Sequence, residues 1–306
     1  MKGLAIKSTG NLYSVKLADG SVIPCRIRGN LRLKDFEATN PVTVGDYVEV
    51  EYNQGDDVGM ISKLFDRKNY IIRKSVKLSK QIQIIAANID RAFVIATPVF
   101  PKTSIGFIDR FLATAEAYNI PGGIIFNKSD MYNPEVRIRV EDLKNLYERI
   151  GYQVIVVSAF DKASMERLKT ELKNNVNLFS GHSGVGKSSI INALIPGLNL
   201  KISAISEQHL KGTHTTTFAE MHEIPEGGFI IDTPGIREFG TIDFNQFEVS
   251  HFFPEIFKTG RSCQFNNCLH TMELNCAVKD AVRDGNIAMS RYESYLSILS
   301  NEDIFR

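Results

Sequence analysis

Gly181-His182-Ser183-Gly184-Val185-Gly186-Lys187-Ser188 decides how this chain is read. It follows an apolar run, Val176 to Phe179, that reads as a buried strand, and it opens a segment from Lys187 to Leu194 with helical spacing. Strand, glycine-rich loop and helix in that order form a phosphate-binding P-loop, with Ser180 at its entry. Glycines let backbone N–H groups wrap phosphate oxygens, and the helix adds the positive end of its dipole. In such a loop Lys187 reaches the β- and γ-phosphates and the Ser188 hydroxyl ligates magnesium. The pattern specifies a nucleoside triphosphate but not its base.

The base is specified upstream, by Asn127-Lys128-Ser129-Asp130 directly after an apolar strand ending at Phe126. The Asp130 carboxylate can accept from N1–H and the exocyclic amine of guanine, a donor pair adenine lacks, and a site built for such paired bonds rejects the base that leaves them unmet. Asn127 suits the opposite edge, and the Lys128 stem can lie along the ring. Ser158-Ala159, after another strand, fits a loop whose backbone N–H meets guanine O6. Downstream, Asp232-Thr233-Pro234-Gly235 follows the strand Phe229 to Ile231. There Asp232 would hold magnesium through water and the Gly235 N–H would touch the γ-phosphate. A polar stretch, Lys201 to Thr217, ends in His214-Thr215-Thr216-Thr217, where Thr215 or Thr216 completes the magnesium shell in the GTP state.

These pieces stand in an unusual order. Ordinary GTPases run P-loop, switch threonine, Asp-x-x-Gly, Asn-Lys-x-Asp, Ser-Ala, whereas here Asn127 and Ser158 precede Gly181. The same sheet with its strands joined differently, a circular permutation, accommodates that order. Ile236 stands where many GTPases place the glutamine that orients the attacking water, and an aliphatic side chain cannot do so. His214 is the nearest polar candidate, either positioning water or merely ordering its loop. Turnover is therefore expected to be slow until a partner orders the switches.

Strands alternate with amphipathic helices from Ala92 to Ile231, which predicts a parallel sheet covered on both faces. The strands are Ala92 to Ala96, Gly123 to Phe126, Gln153 to Val157, Val176 to Phe179, Phe218 to Ile224 and Phe229 to Ile231. The helices include one around Ile105 to Ala115 and others at Val136 to Ile150, Ser164 to Lys173 and Lys187 to Leu194. Before them, short β-rich runs near Leu4 and at Leu12 to Leu17, Val22 to Ile27, Val44 to Tyr52 and Val58 to Leu64, with a tight turn at Asp19-Gly20, suggest a small closed barrel of the OB or SH3-like kind. The expected organisation is multidomain α/β: an OB-type barrel over 1–68, a permuted P-loop domain over 69–240 and a mainly helical domain over 241–306.

That last region carries Cys263, Cys268, His270 and Cys276 within 14 residues, three thiolates and an imidazole suited to closed tetrahedral zinc with no position left for substrate. Cys25 stands alone, so the cysteines do not form a disulfide framework and a reducing compartment fits. No apolar run approaches the roughly 18 residues of a membrane span, and Met1 to Gly10 lacks a secretion signal, so a cytoplasmic protein without membrane contact is expected, with a monomer as the default state. A net charge of +1 gives no global basic field. One local run, Arg67, Lys68, Arg73, Lys74, Lys77 and Lys80, reads as a solvated linker rather than a nucleic-acid patch.

The barrel, the permuted motif set with Gly235-Ile236-Arg237-Glu238-Phe239-Gly240, and the C-x4-C-x-H-x5-C array together resemble the RsgA family of bacterial small-ribosomal-subunit biogenesis GTPases, also called YjeQ or YloQ. Cys25-Arg26-Ile27-Arg28-Gly29 and Ala87-Asn88-Ile89-Asp90 share the likeness, which covers essentially the whole chain. The resemblance implies GTP and GDP as ligands and a small ribosomal subunit as partner, bound late in maturation through barrel and zinc domain contacts to ribosomal RNA. Release would follow GTP hydrolysis stimulated by the subunit. The family's nucleotide positions fall on Asn127 to Asp130 and Ser180 to Ser188, and its zinc ligands on Cys263, Cys268, His270 and Cys276. From Ser250 to Arg306 six basic residues face seven acids, so RNA contact there would rely on shape and a few cations. A GTP-gated RNA-binding module with incidental hydrolysis is the rival reading. A small-molecule kinase is disfavoured by the guanine motif.

Overall fold

Period-two alternation of apolar residues gives the N-terminal strands one inward face each: Tyr13, Val15 and Leu17 are buried along one strand, Val48 and Val50 along another. The computed structural model of the protein describes residues 1–29, 41–53, 56–74, 82–201, 219–232 and 245–300. Five strands, β1 (Lys2–Ser8), β2 (Tyr13–Leu17), β3 (Val22–Ile27), β4 (Tyr47–Glu51) and β5 (Gly59–Leu64), run in the order β1-β2-β3-β5-β4, and β1 also pairs with β4 to close a barrel. Ala5, Cys25 and Ile61 join the inward residues at its centre. In the β2–β3 turn, Asp19 Oδ1 accepts from the Ser21 N–H at 2.9 Å. The strand expected from Val44 starts at Tyr47 instead, because Gly45 turns with φ +91° and Val44 forms a bridge to Ala86 outside the barrel.

The stretch read as a solvated linker is instead structured on both sides of residues 75–81. Strands β6 (Tyr70–Lys74) and β7 (Ile82–Ala87) form an antiparallel pair. Two members of the basic run are paired within the chain, Arg67 in a buried contact and Lys68 at the surface. The Arg67 guanidinium donates from Nε and Nη2 to the fully buried Asp46 carboxylate, both at 2.6 Å, and from Nη2 to the Pro41 carbonyl at 3.0 Å. Lys68 pairs with Asp90. Charge density along the sequence hid this, since a guanidinium answering a distant buried aspartate looks identical to a solvated one.

The α/β domain follows: β8 (Arg91–Ala96), α1 (Ile105–Ala117), β9 (Gly122–Phe126), α2 (Pro134–Ile150), β10 (Gln153–Val156), α3 (Lys162–Leu172), β11 (Val176–Ser180), α4 (Lys187–Leu194), β12 (Glu220–Glu223) and β13 (Phe229–Asp232). Local chemistry sets the helix starts. The Ser104 side chain accepts from the Phe107 N–H, Asn133 from Val136 ahead of Pro134, and Asp161 from Ala163 and Ser164. Along β8, Ala92, Val94 and Ala96 face one core while Phe93 and Ile95 face the other, so both faces of the sheet are covered.

The strand order is β10-β9-β8-β11-β13-β12. All neighbours are parallel except β12, which runs antiparallel to β13, so the sheet is mixed rather than wholly parallel. Numbered from β11, the strand before the glycine-rich loop, the sheet reads 6-5-4-1-3-2, the arrangement of an unpermuted domain whose chain has been cut and rejoined. Sequence periodicity could not show that β12 also pairs with barrel strand β1, at Lys7 and Glu220, making one continuous sheet of eleven strands. The Lys7–Glu220 pair at 3.0 Å and a Lys16–Glu223 pair reinforce that seam.

Beyond it, helices α5 (Pro254–Gly260), α6 (Ala277–Arg283) and α7 (Met289–Leu299) build a separate core around Phe253, Ile256, Val278 and Tyr295, which also takes in Ala113 of α1. No helix among the described residues is long and apolar enough to cross a membrane.

Candidate functional site

The parallel strands deliver three loops to one edge of the sheet, at their C-terminal ends, where open α/β sheets bind ligands. The glycine-rich loop leaves β11 at the buried Ser180. A Cβ on Gly181 would lie 2.7 Å from the Ile95 carbonyl oxygen, so the loop hugs the end of β8 as only glycine permits. Gly186 holds φ at +93° just before α4, and a Cβ there would sit 2.3 Å from Asn127 Nδ2. That close approach joins the two sequence motifs.

Asn127 is 1% exposed and both ends of its amide are engaged. Nδ2 donates to the Val185 carbonyl at 2.9 Å, and Oδ1 accepts from the Ala159 N–H at 3.2 Å. The Tyr132 hydroxyl donates to the Asn127 carbonyl at 2.8 Å. An amide has two donors and two acceptor lone pairs, so Asn127 can strut the loops together and still offer one of each. Lys128 takes the left-handed conformation at φ +66°, which turns its ammonium back across the glycine-rich loop, where it donates to the Gly184 carbonyl at 2.8 Å and the Phe100 carbonyl at 2.6 Å. Burial lowers its pKa, opposed by the Asp130 charge.

Asp130, in the short turn Ser129–Met131, accepts from the Ser158 hydroxyl at 2.5 Å. Ser158 is itself fixed by Ser164, whose hydroxyl donates to the Ser158 carbonyl at 2.9 Å. The carboxylate suited to guanine and the Ser158-Ala159 loop are thus positioned on one another.

Two groups expected on the phosphate side also converge. Lys187, at the start of α4, forms an ion pair with Asp232 at the end of β13. Ser188 follows in the same first turn. The His182 ring lies over Phe107 of α1, with centroids 3.8 Å apart and planes tilted by 32°, a contact that motif spacing does not announce. Ser183 lies in the loop between. His214, Thr215, Thr216 and Gly235 fall outside the described residues, as does Ile236.

Some 80 residues later in sequence, Cys263, Cys268, His270 and Cys276 converge with all four candidate ligand atoms within 4.8 Å of one another. Cys263 Sγ lies 3.6 Å from His270 Nδ1 and 3.9 Å from Cys276 Sγ; Cys276 Sγ lies 3.8 Å from Cys268 Sγ and 3.4 Å from His270 Nδ1. A tetrahedral ion with zinc-type bond lengths sets edges of about 3.8 Å between sulfurs and about 3.5 Å between sulfur and nitrogen. Those four edges match such an ion in size, and the donor set matches it in chemistry. Burial, with smaller contributions from neighbouring sulfurs, pushes the Cys268 thiol up to about 12, so its thiolate needs a cation beside it. Residues the motif did not include hold the ligand loop: Glu273 accepts from the N–H groups of Leu269 and Thr271 at 2.6 and 2.8 Å, and the Tyr295 and Tyr292 hydroxyls donate to the carbonyls of Leu269 and His270 at 2.7 and 2.5 Å.

Comparison with known proteins matches this arrangement from end to end. The family profile of the RsgA N-terminal domain matches residues 2–61, and that of the RsgA GTPase matches residues 64–242. A small ribosomal subunit biogenesis GTPase RsgA from Bacteroides fragilis is 52% identical over 99% of this chain and 97% of its own length, and one from Flavobacterium psychrophilum is 49% identical over 99% and 94%. The crystal structure of YjeQ from Thermotoga maritima superposes with a TM-score of 0.81 at 31% identity, covering 100% of this chain and 99% of that one. That of YloQ, a circularly permuted GTPase, superposes with a TM-score of 0.77 at 29% identity over 98% and 94%. The permuted sheet, the three loops knit at its edge and the full-length likeness agree, and the chain belongs to the RsgA family of circularly permuted GTP hydrolases.

Proposed function

We propose that this protein binds the small ribosomal subunit, assists its late maturation and leaves when GTP hydrolysis, stimulated by the subunit, is complete. The observation that supports the reading is the Asn127 strut, which holds the loop suited to base recognition against the loop suited to phosphate recognition despite the permuted order. The Asp130 carboxylate reads the guanine edge, Asn127 and the Ala159 N–H frame it, and the Lys128 stem lies along the ring. Residues Ser180 to Ser188 wrap the phosphates, with Lys187 exchanging its Asp232 partner for phosphate oxygens. Ser188, with Asp232 acting through water, holds magnesium, which when bound neutralises charge developing on the β- and γ-phosphates. One of Thr215 and Thr216, together with Gly235, senses the γ-phosphate, and His214 positions the attacking water.

In this reading the domains run over 1–68, 69–240 and 241–306. The ion held by Cys263, Cys268, His270 and Cys276 is a structural zinc, since four protein ligands close its shell. The protein acts as a monomer in the cytoplasm, with barrel and zinc domain against ribosomal RNA. The relatives' names, which assign them to small-subunit biogenesis, support the choice of partner. Co-sedimentation tests the release step. The protein should pellet with purified small subunits in a non-hydrolysable GTP analogue and stay in the supernatant with GDP; equal pelleting in both would separate hydrolysis from release and favour a plain RNA-binding module.

A further inference from the structure

Helix α1 is shared between two cores. Ile108, Phe111, Leu112 and Ala115 pack within the α/β domain, while Ala113 packs within the C-terminal helical core. On the same stripe as Ala113, one turn earlier, lies Asp109, which is fully buried. A carboxylate in the middle of a buried helix face is costly unless it is matched. Here the match comes from α7 and α2: Arg291 Nη1 of α7 donates to Asp109 Oδ1 at 2.8 Å, and the Tyr147 hydroxyl of α2 donates to the same oxygen at 2.7 Å. Arg291 is also fully buried, bonds to Glu255 at 2.6 and 3.1 Å, and lies 4.6 Å from the Phe253 ring centroid. One planar guanidinium thereby fixes α1, α5 and α7 in a single geometry, which a flexible ammonium cannot reproduce.

The first turn of α1 and the segment leading into it meet the nucleotide loops. Phe107, two residues before Asp109, lies against His182 of the glycine-rich loop, and the Phe100 carbonyl in the segment leading into α1 accepts from Lys128 of the guanine motif. Both loops lean on one short stretch, and the rigid helix continuing from it is anchored by Arg291.

We infer that Arg291 is a positioning residue for the nucleotide: by clamping Asp109 it sets α1, and through Phe107 and Phe100 it sets the glycine-rich and guanine-motif loops. The inference rests on the guanine-nucleotide reading above. Coupling between two sites is reciprocal, so nucleotide occupancy must in turn tighten the docking of the C-terminal helices.

The test uses the full-length, metal-loaded chain and a fluorescent GDP analogue, with metal content and cooperative melting as checks on folding. Arg291→Met and Asp109→Asn should each speed analogue dissociation at least tenfold. Arg291→Lys, which keeps the charge without the fork, should recover part of the loss. Arg291→Met combined with Phe107→Ala should fall short of the product of the single effects, because both act through α1. Wild-type dissociation from a folded, metal-loaded Arg291→Met chain overturns the inference. If that variant does not fold, hydrogen exchange decides: GDP should slow exchange in α7 of the wild type but not of Phe107→Ala, and equal slowing in both overturns the inference. A wild-type chain that binds no guanine nucleotide defeats the underlying reading instead.

Discussion

The Asn127 side chain donates to the Val185 carbonyl at 2.9 Å across 58 residues of sequence, and this bond holds the guanine-motif loop against the glycine-rich loop. Its donor and acceptor are both buried, so removing the donor exposes the full cost of an unmet carbonyl, about 1–3 kcal/mol. In the nucleotide-free variant the two loops should part so that water reaches that carbonyl, and GDP must close them against the same cost, so Asn127→Ala should weaken GDP binding about 5- to 150-fold. Calorimetric titration checks this, and unchanged affinity would mean that the strut does not shape the site.

Arg67 belongs to the interior and not to an RNA-binding face. Its partner Asp46 is fully buried, and burial raises the Asp46 pKa against the opposing effect of Arg67. Arg67→Met would leave that carboxylate without its cation, a change that costs about 3–5 kcal/mol. Denaturant unfolding should register this loss, while the salt dependence of small-subunit binding should stay as in the wild type. A flatter salt dependence with unaltered stability would return Arg67 to the surface patch.

The Cys263, Cys268, His270 and Cys276 cluster should carry about one zinc per chain. Structural zinc sites contribute about 10–16 kcal/mol of apparent binding free energy at neutral pH, available to folding because the unfolded chain lacks the preformed site. Cys276→Ser, or stripping with a chelator, should lower the melting temperature of the C-terminal helices with little effect on the barrel. Elemental analysis and calorimetry test this; an intact C-terminal transition in metal-free protein would contradict it.

His222 gives the seam between barrel and α/β sheet an acid sensitivity. Burial lowers its pKa from the ordinary 6.5, with Lys7 and Lys187 adding to the effect and Glu220 and Asp232 opposing it. Because the folded value is depressed, its contribution is fully present above 6.5 and is lost as pH falls through that value toward the folded one. Melting curves at descending pH should show a steeper loss for the wild type than for His222→Asn. Parallel curves would remove His222 from the account.

Much of this was legible because the motifs are local. The glycine-rich loop, Asn127 to Asp130 and the cysteine array each lie within a few residues, and their spacing states their chemistry. Strand order was legible only through the permutation, since motif order implies which strands must be neighbours. Contacts between distant segments were not legible. Nothing beside Lys7 announces Glu220, nothing beside Arg67 announces Asp46, and the β6–β7 pair was masked by a run of cations. Asp109 offered a faint signal, an acid on the inward side of an apolar helix, but its meaning required Arg291, 182 residues away.

Whether the small ribosomal subunit switches on hydrolysis by this permuted GTPase is decided by phosphate release from GTP, measured for the protein alone, with purified small subunits and with purified large subunits. Release should be slow alone, rise at least tenfold with small subunits and stay unchanged with large ones. Equal rates in all three, or stimulation by the large subunit, would contradict that switching.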